Sequence, residues 1–107
     1  MKLSTLAATS IAALLAVTSI EAHAINAQRE LQKQGCLKCH AVSRKKDGPS
    51  LKEIAAKYDG DPEAVAKLKE HATSTPTIEV NGKEETHKEL KLEGEDMDTV
   101  LNWILTR

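Results

Sequence analysis

The hydrophobic and polar positions of this chain alternate with a helical period in four segments. The first predicted helix begins after an Asn26 cap and runs to about Gln34, with Ala27 and Leu31 on its apolar face. Gly35 is expected to end this helix directly before the first cysteine.

The second predicted helix has the clearest boundaries. Ser50-Leu51-Lys52-Glu53 is a capping box, in which the first and last side chains each satisfy the other's backbone N–H group. An apolar stripe with the spacing i, i+3, i+4, i+7 follows: Leu51, Ile54, Ala55 and Tyr58. Gly60 is expected to end the helix.

Two further helices are predicted towards the end of the chain. The third has Asp61 as its cap and Pro62 in its first helical position, and it continues to about Ala72. The fourth runs from about Glu95 to Leu105. Its apolar face consists of Met97, Val100, Leu101, Ile104 and Leu105. The four patterns together predict an all-α fold of about four helices.

The stretch between the third and fourth helices, residues 73–93, has a different pattern. It contains Ile78-Glu79-Val80-Asn81-Gly82-Lys83, in which Asn-Gly is typical of a type I′ turn between two short strands. A short β-hairpin is therefore expected in this loop.

The N-terminus has the features of a secretory signal peptide. Lys2 precedes an unbroken stretch of apolar and small residues over 6–17, and Ala22-His23-Ala24 is a small-x-small cleavage site. A membrane anchor would need about 20 apolar residues, and this stretch is shorter. We expect residues 1–24 to be removed, with cleavage after Ala22 as the alternative, and residues 25–107 to form one domain.

The composition of this domain leaves little material for a core. The whole chain has 107 residues, a net charge of −1, and two aromatic residues, Tyr58 and Trp103. Domains this small usually need a metal, a disulfide or another staple. The balanced charge also excludes a general nucleic-acid-binding protein.

Both cysteines lie in one run, Cys36-Leu37-Lys38-Cys39-His40. A thioredoxin-type redox site would need a βαβ context, and a zinc site would need a second pair of ligands, which the other histidines do not supply. Covalent attachment of haem c needs only this run. The two thiols bind the haem vinyl groups, and His40 binds the iron as its proximal ligand. One covalent haem c is therefore the expected cofactor, and its porphyrin supplies the missing apolar core.

The sequence resembles the short class I c-type cytochromes of bacteria, which carry a single haem. The matching segments, in order, are Gly35-Cys36, His40-Ala41-Val42, Gly48-Pro49-Ser50-Leu51, Glu53-Ile54-Ala55-Ala56-Lys57-Tyr58 and Trp103-Ile104-Leu105. Residues 25–72 and 94–107 match well, and residues 73–93 match poorly.

This resemblance implies roles for several residues. The backbone carbonyl of Pro49 is expected to accept a hydrogen bond from His40 Nδ1, which orients the imidazole and raises its basicity. Tyr58 is expected to pack against the haem. The last helix is expected to cross the first, with Trp103 in the contact.

The resemblance fails at the sixth iron ligand. Related proteins supply a Met from a Met-Pro stretch before the last helix, and no such stretch exists here. His87, sixteen positions before Trp103, stands at that place, so bis-histidine ligation by His40 and His87 is expected. His71 is an alternative ligand but suits a cap at the end of the third helix. Met97 is a weaker one because it is in phase with the core face. An open sixth position, with His87 a solvated loop residue, is the other alternative.

Charge is distributed unevenly. Residues 25–70 carry ten Lys/Arg and seven Asp/Glu, whereas residues 71–107 carry four and eight. Arg44-Lys45-Lys46 directly follows the haem motif. This run is either an ordinary solvated loop or a docking site for an acidic patch on a redox partner protein.

The function implied by the resemblance is that of a soluble, periplasmic one-electron carrier of low potential, and not an enzyme. Two alternatives remain. The protein could bind or sense a small gas such as NO or CO after His87 leaves the iron, or it could be a small haem subunit of a larger oxidoreductase that uses residues 73–93 as an interface. A homodimer or heterodimer is compatible with either.

Overall fold

The computed structural model describes residues 12–16 and 25–107. The predicted signal peptide and its cleavage site lie almost wholly outside these residues. Residues 12–16 have no regular secondary structure, and Leu14 and Leu15 are 94% and 90% exposed. No helix within 12–16 or 25–107 has the length and apolar content that crossing a membrane requires.

The domain consists of four α-helices, one 3₁₀ turn and one β-hairpin. The helices are α1 (Ala27–Lys33), α2 (Leu51–Lys57), α3 (Ala64–Thr73) and α4 (Gly94–Leu105). The 3₁₀ turn is Cys36–Lys38, and the strands are β1 (Thr77–Val80) and β2 (Lys83–Thr86). The predicted, mostly helical fold is confirmed.

The starts of α1 and α2 agree with the sequence patterns. The Asn26 side chain accepts a hydrogen bond from the backbone N–H of Arg29 at 2.9 Å. At α2 both hydrogen bonds of the capping box are present at 3.0 Å, from Glu53 N–H to Ser50 Oγ and from Ser50 N–H to Glu53 Oε2.

The predicted start of α3 is wrong by two residues. Asp61 Oδ1 accepts a hydrogen bond from Glu63 N–H at 2.9 Å, and the Asp61 carbonyl accepts one from Ala64 N–H at 3.1 Å. An aspartate that bonds to the backbone two residues ahead stabilises a turn in place of a helical turn. Pro62 therefore lies in this turn, and the helix begins at Ala64.

The core is built around α4, which packs against α1, α2 and α3. Met97 is 1% exposed on the inner face of α4, which confirms that this methionine packs in the core. The predicted contact between the first and last helices is confirmed, and Trp103 is half-buried against the core. The buried core cluster consists of Ala27, Leu31, Leu51, Leu68, Leu90, Met97, Val100, Leu101 and Ile104.

The predicted hairpin is also confirmed. Thr77 pairs with Thr86 at its open end and Val80 with Lys83 beside the turn. Asn81 and Gly82 have φ values of 52° and 79°, as a type I′ turn requires at both central positions. The hairpin carries the chain from the end of α3 to His87.

Candidate haem-binding site

The Cys-x-x-Cys-His run is folded as a tight turn at the end of α1. The Cys36 carbonyl accepts hydrogen bonds from Cys39 N–H at 3.3 Å and from His40 N–H at 3.0 Å, which fix the three side chains relative to one another. Both thiols are free, with Cys36 half-buried and Cys39 exposed. Before haem is attached, burial raises the pKa of the Cys36 thiol.

The His40 imidazole is held by the loop that follows it. His40 Nδ1 lies 2.7 Å from the Pro49 carbonyl oxygen, the contact that the resemblance implies. The loop is folded back on the haem motif, because Gly48 N–H donates to the Cys39 carbonyl at 2.9 Å and Leu51 N–H donates to the Ala41 carbonyl at 2.9 Å. With Nδ1 engaged by a carbonyl, Nε2 is the nitrogen available to a metal.

Gly48 lies directly against this imidazole. A Cβ atom added at Gly48 would lie 2.8 Å from His40 Cε1 and 3.0 Å from His40 Nδ1. These distances are too short for carbon or nitrogen atoms that are not bonded to each other. A glycine is therefore required here by lack of space.

The imidazole ring of His87 lies close to that of His40. The two ring centres are 6.0 Å apart, and the ring planes are tilted by 48°. With metal–nitrogen bonds of about 2 Å on each side, two imidazoles on one metal place their ring centres roughly 6 Å apart. His87 Nδ1 is buried and has no hydrogen-bond partner within the described part of the chain.

The loop that presents His87 is tied to both neighbouring helices. His87 N–H donates to the Pro76 carbonyl at 2.8 Å, and Leu90 N–H donates to the Ala72 carbonyl at 2.8 Å, which joins the loop to the end of α3. Just after α1, Gln34 bonds both backbone groups of Lys91, donating to its carbonyl at 3.0 Å and accepting from its N–H at 2.7 Å. Leu90 is 4% exposed and anchors the loop in the core.

His71 lies against His87 rather than standing apart from the site. It is in the last turn of α3, where a role as a helix cap was expected, and its ring centre is 4.6 Å from that of His87 in an edge-on arrangement. The predicted ligand pair and the predicted alternative ligand thus belong to one cluster of three histidines, His40, His71 and His87.

Desolvation lowers the pKa values of His71 and His87 and so favours their neutral imidazoles. Desolvation lowers the pKa of His87, and the neighbouring His71 and His40 lower it further. Desolvation also lowers the pKa of His71, with smaller contributions from His40 and Lys57. Neutral imidazole is the form that binds metal ions.

These residues fit a haem and do not fit a bare metal ion. Over residues 12–16 and 25–107, no three His, Cys, Asp or Glu side chains are arranged to hold a metal ion together. Two histidines near each other and two cysteines suit haem c. The histidines can bind the iron, the porphyrin supplies the other iron ligands, and the cysteines can attach the porphyrin to the chain. Tyr58, predicted to pack on the haem, ends α2 and is half-buried against the core.

The basic run lies on the loop between the haem motif and α2. Arg44, Lys45 and Lys46 are exposed, and Lys46 Nζ donates to the Leu37 carbonyl at 3.2 Å. The next residue, Asp47, accepts a hydrogen bond from Asn81 Nδ2 at 3.2 Å, so the tip of the hairpin lies beside this loop.

Solved structures of bacterial cytochromes resemble this chain over most of its length. The class 1 cytochrome MtoD of Sideroxydans lithotrophicus ES-1 is 40% identical, with a TM-score of 0.71 over 75% of this chain and 90% of that protein. Cytochrome c552 of Nitrosomonas europaea is 28% identical, with a TM-score of 0.60 over 74% of this chain and 96% of that protein.

Two curated relatives match over shorter segments. Cytochrome c-551 of Allochromatium vinosum is 49% identical over 37 residues, which are 35% of this chain and 39% of the relative. Cytochrome c-551 of Pseudomonas aeruginosa is 46% identical over 35 residues, which are 33% of this chain and 34% of the relative. A sequence profile described as cytochrome c matches residues 24–107. This chain therefore belongs to the cytochrome c family of electron-transport proteins, and it carries covalently bound haem c.

Proposed function

We propose that this protein is a periplasmic one-electron carrier whose haem iron is bound by His40 and His87. The observation that carries the proposal is the 6.0 Å separation of the two imidazole centres. The family membership supports electron transport and leaves the identity of the sixth ligand open.

Each residue of the site has a separate part in this proposal. Cys36 and Cys39 form the thioethers to the haem, and His40 is the proximal ligand. The Pro49 carbonyl, 2.7 Å from His40 Nδ1, orients the imidazole and makes it a stronger donor. Tyr58 packs beside the haem. Bound haem supplies an iron that gains and loses one electron, and the chain excludes water and holds both axial ligands in place.

The second histidine sets the potential. A thioether ligand favours Fe(II), whereas a second imidazole is the stronger donor and favours Fe(III). Because axial ligands change haem potentials over about 0.8 V, this protein should have a potential well below that of cytochromes with a His/Met pair. The wild-type protein should be low-spin in both oxidation states and should lack the near-infrared band of sulfur ligation.

Substitution of His87 tests the proposal. In His87→Ala the ferric haem should become high-spin and the ferrous haem should bind CO, and in His87→Met the potential should rise. Glu85→Ala, which alters an exposed side chain two residues earlier, is the matched control and should behave as wild type. An unchanged ferric spectrum in His87→Ala would show that His87 is not the ligand. Binding of CO by the unaltered protein would favour the gas-binding function instead.

Export is proposed from the N-terminal sequence. Residues 1–24 have the charged start, the apolar stretch and the cleavage site of a signal peptide. The protein purified from the periplasmic fraction should begin at Ile25. A purified haem protein that retains Met1 would contradict the cleavage.

We also propose that Arg44, Lys45 and Lys46 form a docking site for an acidic redox partner. Within the described residues none of these three side chains is paired with a carboxylate, so their charge faces the solvent. Electron-transfer rates should fall as ionic strength rises. Charge reversal at Arg44 and Lys45 should slow association more than reversal at Glu84 and Glu85. A rate that is insensitive to salt would show that the run is ordinary solvated surface.

A further inference from the structure

His87 lies close to two histidines, His40 and His71. Its ring centre is 6.0 Å from that of His40 and 4.6 Å from that of His71, with the His71 and His87 planes at 61°. The shorter distance is an edge-to-face ring contact, which leaves no space for a metal ion between these two rings. His71 is therefore placed as a neighbour of the distal ligand.

The chemistry of imidazole makes this neighbour significant. A neutral imidazole has two ring nitrogens, and when one binds a metal, the other carries a proton and needs an acceptor. In metal sites such an acceptor fixes the ring orientation and strengthens the ligand. His40 has its acceptor in the Pro49 carbonyl, at 2.7 Å. His87 has no partner for its buried Nδ1 within the described residues.

We propose that His71 is the positioning residue of the distal ligand: its imidazole packs edge-on against the ring of His87, and in the haem-bound protein it accepts a hydrogen bond from the nitrogen that the iron leaves free. This proposal rests on the proposed binding of iron by His87. Under this proposal the two iron ligands have different hydrogen-bond acceptors. His40 donates to the backbone carbonyl of Pro49, and His87 donates to the side chain of His71.

His71 is exposed, so its substitution should not disturb the core. α3 buries Ala64 and Leu68 against the core, whereas His71 is exposed in the last turn of the helix. The loop that carries His87 is held independently, by the backbone bonds from His87 to Pro76 and from Leu90 to Ala72. Substitution of His71 should therefore leave the fold in place and change only the surroundings of His87.

Three variants of the haem-loaded protein separate the contributions of His71. His71→Phe keeps a ring in contact with His87 but removes both nitrogens, His71→Ala removes the ring, and His71→Gln restores a polar side chain. Lys69→Ala is the matched control, because Lys69 is an exposed residue of the same helix. The measurements are the ferric EPR spectrum, the reduction potential, and the affinity of the ferric haem for added imidazole.

A positioning role predicts one pattern across these measurements. In His71→Phe and His71→Ala the EPR g values should shift, the potential should rise, and added imidazole should bind about tenfold more tightly, because His87 competes less well for the iron. His71→Gln should restore part of each change, and Lys69→Ala should match wild type. EPR spectra, potentials and imidazole affinities that are the same in His71→Phe and wild type would overturn the proposal.

His87→Ala distinguishes this failure from that of the proposed ligation. If His87→Ala becomes high-spin while the His71 variants match wild type, His87 is the ligand and His71 does not position it. If His71→Ala becomes high-spin while His87→Ala stays low-spin, His71 is itself the ligand, and both proposals are wrong.

Discussion

At the scale of single residues, two glycines of this protein are required for different physical reasons. Gly60 has a φ of 74° and nothing within 4 Å of the place where its Cβ would be, so its conformation alone calls for glycine. Gly48 does not have a positive φ, but a Cβ there would lie 2.8 Å from a ring carbon of His40. Gly48 thus sets the position of His40, the proposed proximal ligand, by the absence of a side chain.

Gly48→Ala should therefore disturb the proximal ligand. The added methyl group has to displace the His40 ring or the loop that holds it, and overpacking of this kind typically costs about 1–3 kcal/mol of stability. We expect a lower urea midpoint and a shifted ferric EPR spectrum. Lys45→Ala, in the same loop with an exposed side chain, should leave both unchanged. A Gly48→Ala protein with wild-type stability and spectrum would show that the loop yields without strain.

Contacts between single residues were predictable only where the resemblance to a known family assigns a role to a position. The His40–Pro49 contact and the placing of His87 opposite His40 follow from a resemblance that attaches roles to positions. The closeness of Gly48 to His40 and of His71 to His87 depends on how two loops and a helix end pack together. No local sequence pattern predicts either of these two contacts, because glycine and histidine are not hydrophobic and the spacing of these residues has no helical or strand period.

At the scale of elements, the starts of α2 and α3 show when local chemistry predicts a boundary. The capping box at α2 is predictable because its two hydrogen bonds join residues three apart and require helical geometry between them. At α3, the Asp61 side chain accepts a hydrogen bond from the backbone N–H of Glu63, only two residues ahead. This bond stabilises a turn, so the helix begins after it, at Ala64. The hairpin was predictable from Asn81-Gly82, whereas Leu90 was not, since a single apolar residue among charged ones has no periodicity.

Ser50→Ala should weaken α2 measurably. Ser50 is 1% exposed, and its hydroxyl accepts the hydrogen bond of Glu53 N–H at 3.0 Å, which alanine cannot replace. Loss of a serine cap costs about 1 kcal/mol, within a range of about 0.5–2 kcal/mol. The free energy of unfolding from urea titration should fall by that amount. Ser43→Ala, at an exposed loop position, should leave it unchanged, and an equal loss in both variants would contradict a capping role.

At the scale of the whole molecule, the buried core is small. Four of the nine residues in the buried cluster belong to α4, and α1, α2 and α3 contact α4. The sequence predicted a small core correctly, because a chain with two aromatic residues has little apolar material to bury. The way in which residues 73–93 close over the site was less predictable, since that segment is where the resemblance is poorest.

Removal of the attachment site should unfold the domain. Cys36→Ala combined with Cys39→Ala should abolish covalent haem, and the chain should then lose most of its helical structure, because the porphyrin supplies much of the apolar contact. Circular dichroism should show low helicity and no cooperative thermal transition. A control in which Ser43 and Ser74, both exposed, are replaced by alanine should keep the haem and the transition. A cooperatively folded double-cysteine variant would show that the protein core is sufficient.

The anchored loop that carries His87 bears on the speed of electron transfer. Its backbone is bonded to Pro76 and Ala72 at one side and to Gln34 at the other. When charge at a site changes, groups that are already held in place need not rearrange, and the energy that rearrangement would add to the barrier is avoided. If His87 binds the iron as proposed, an imidazole fixed in this way would bind the oxidised and the reduced iron from nearly the same position. Under the proposed ligation, these backbone bonds would therefore lower the barrier to electron transfer once a redox partner has docked.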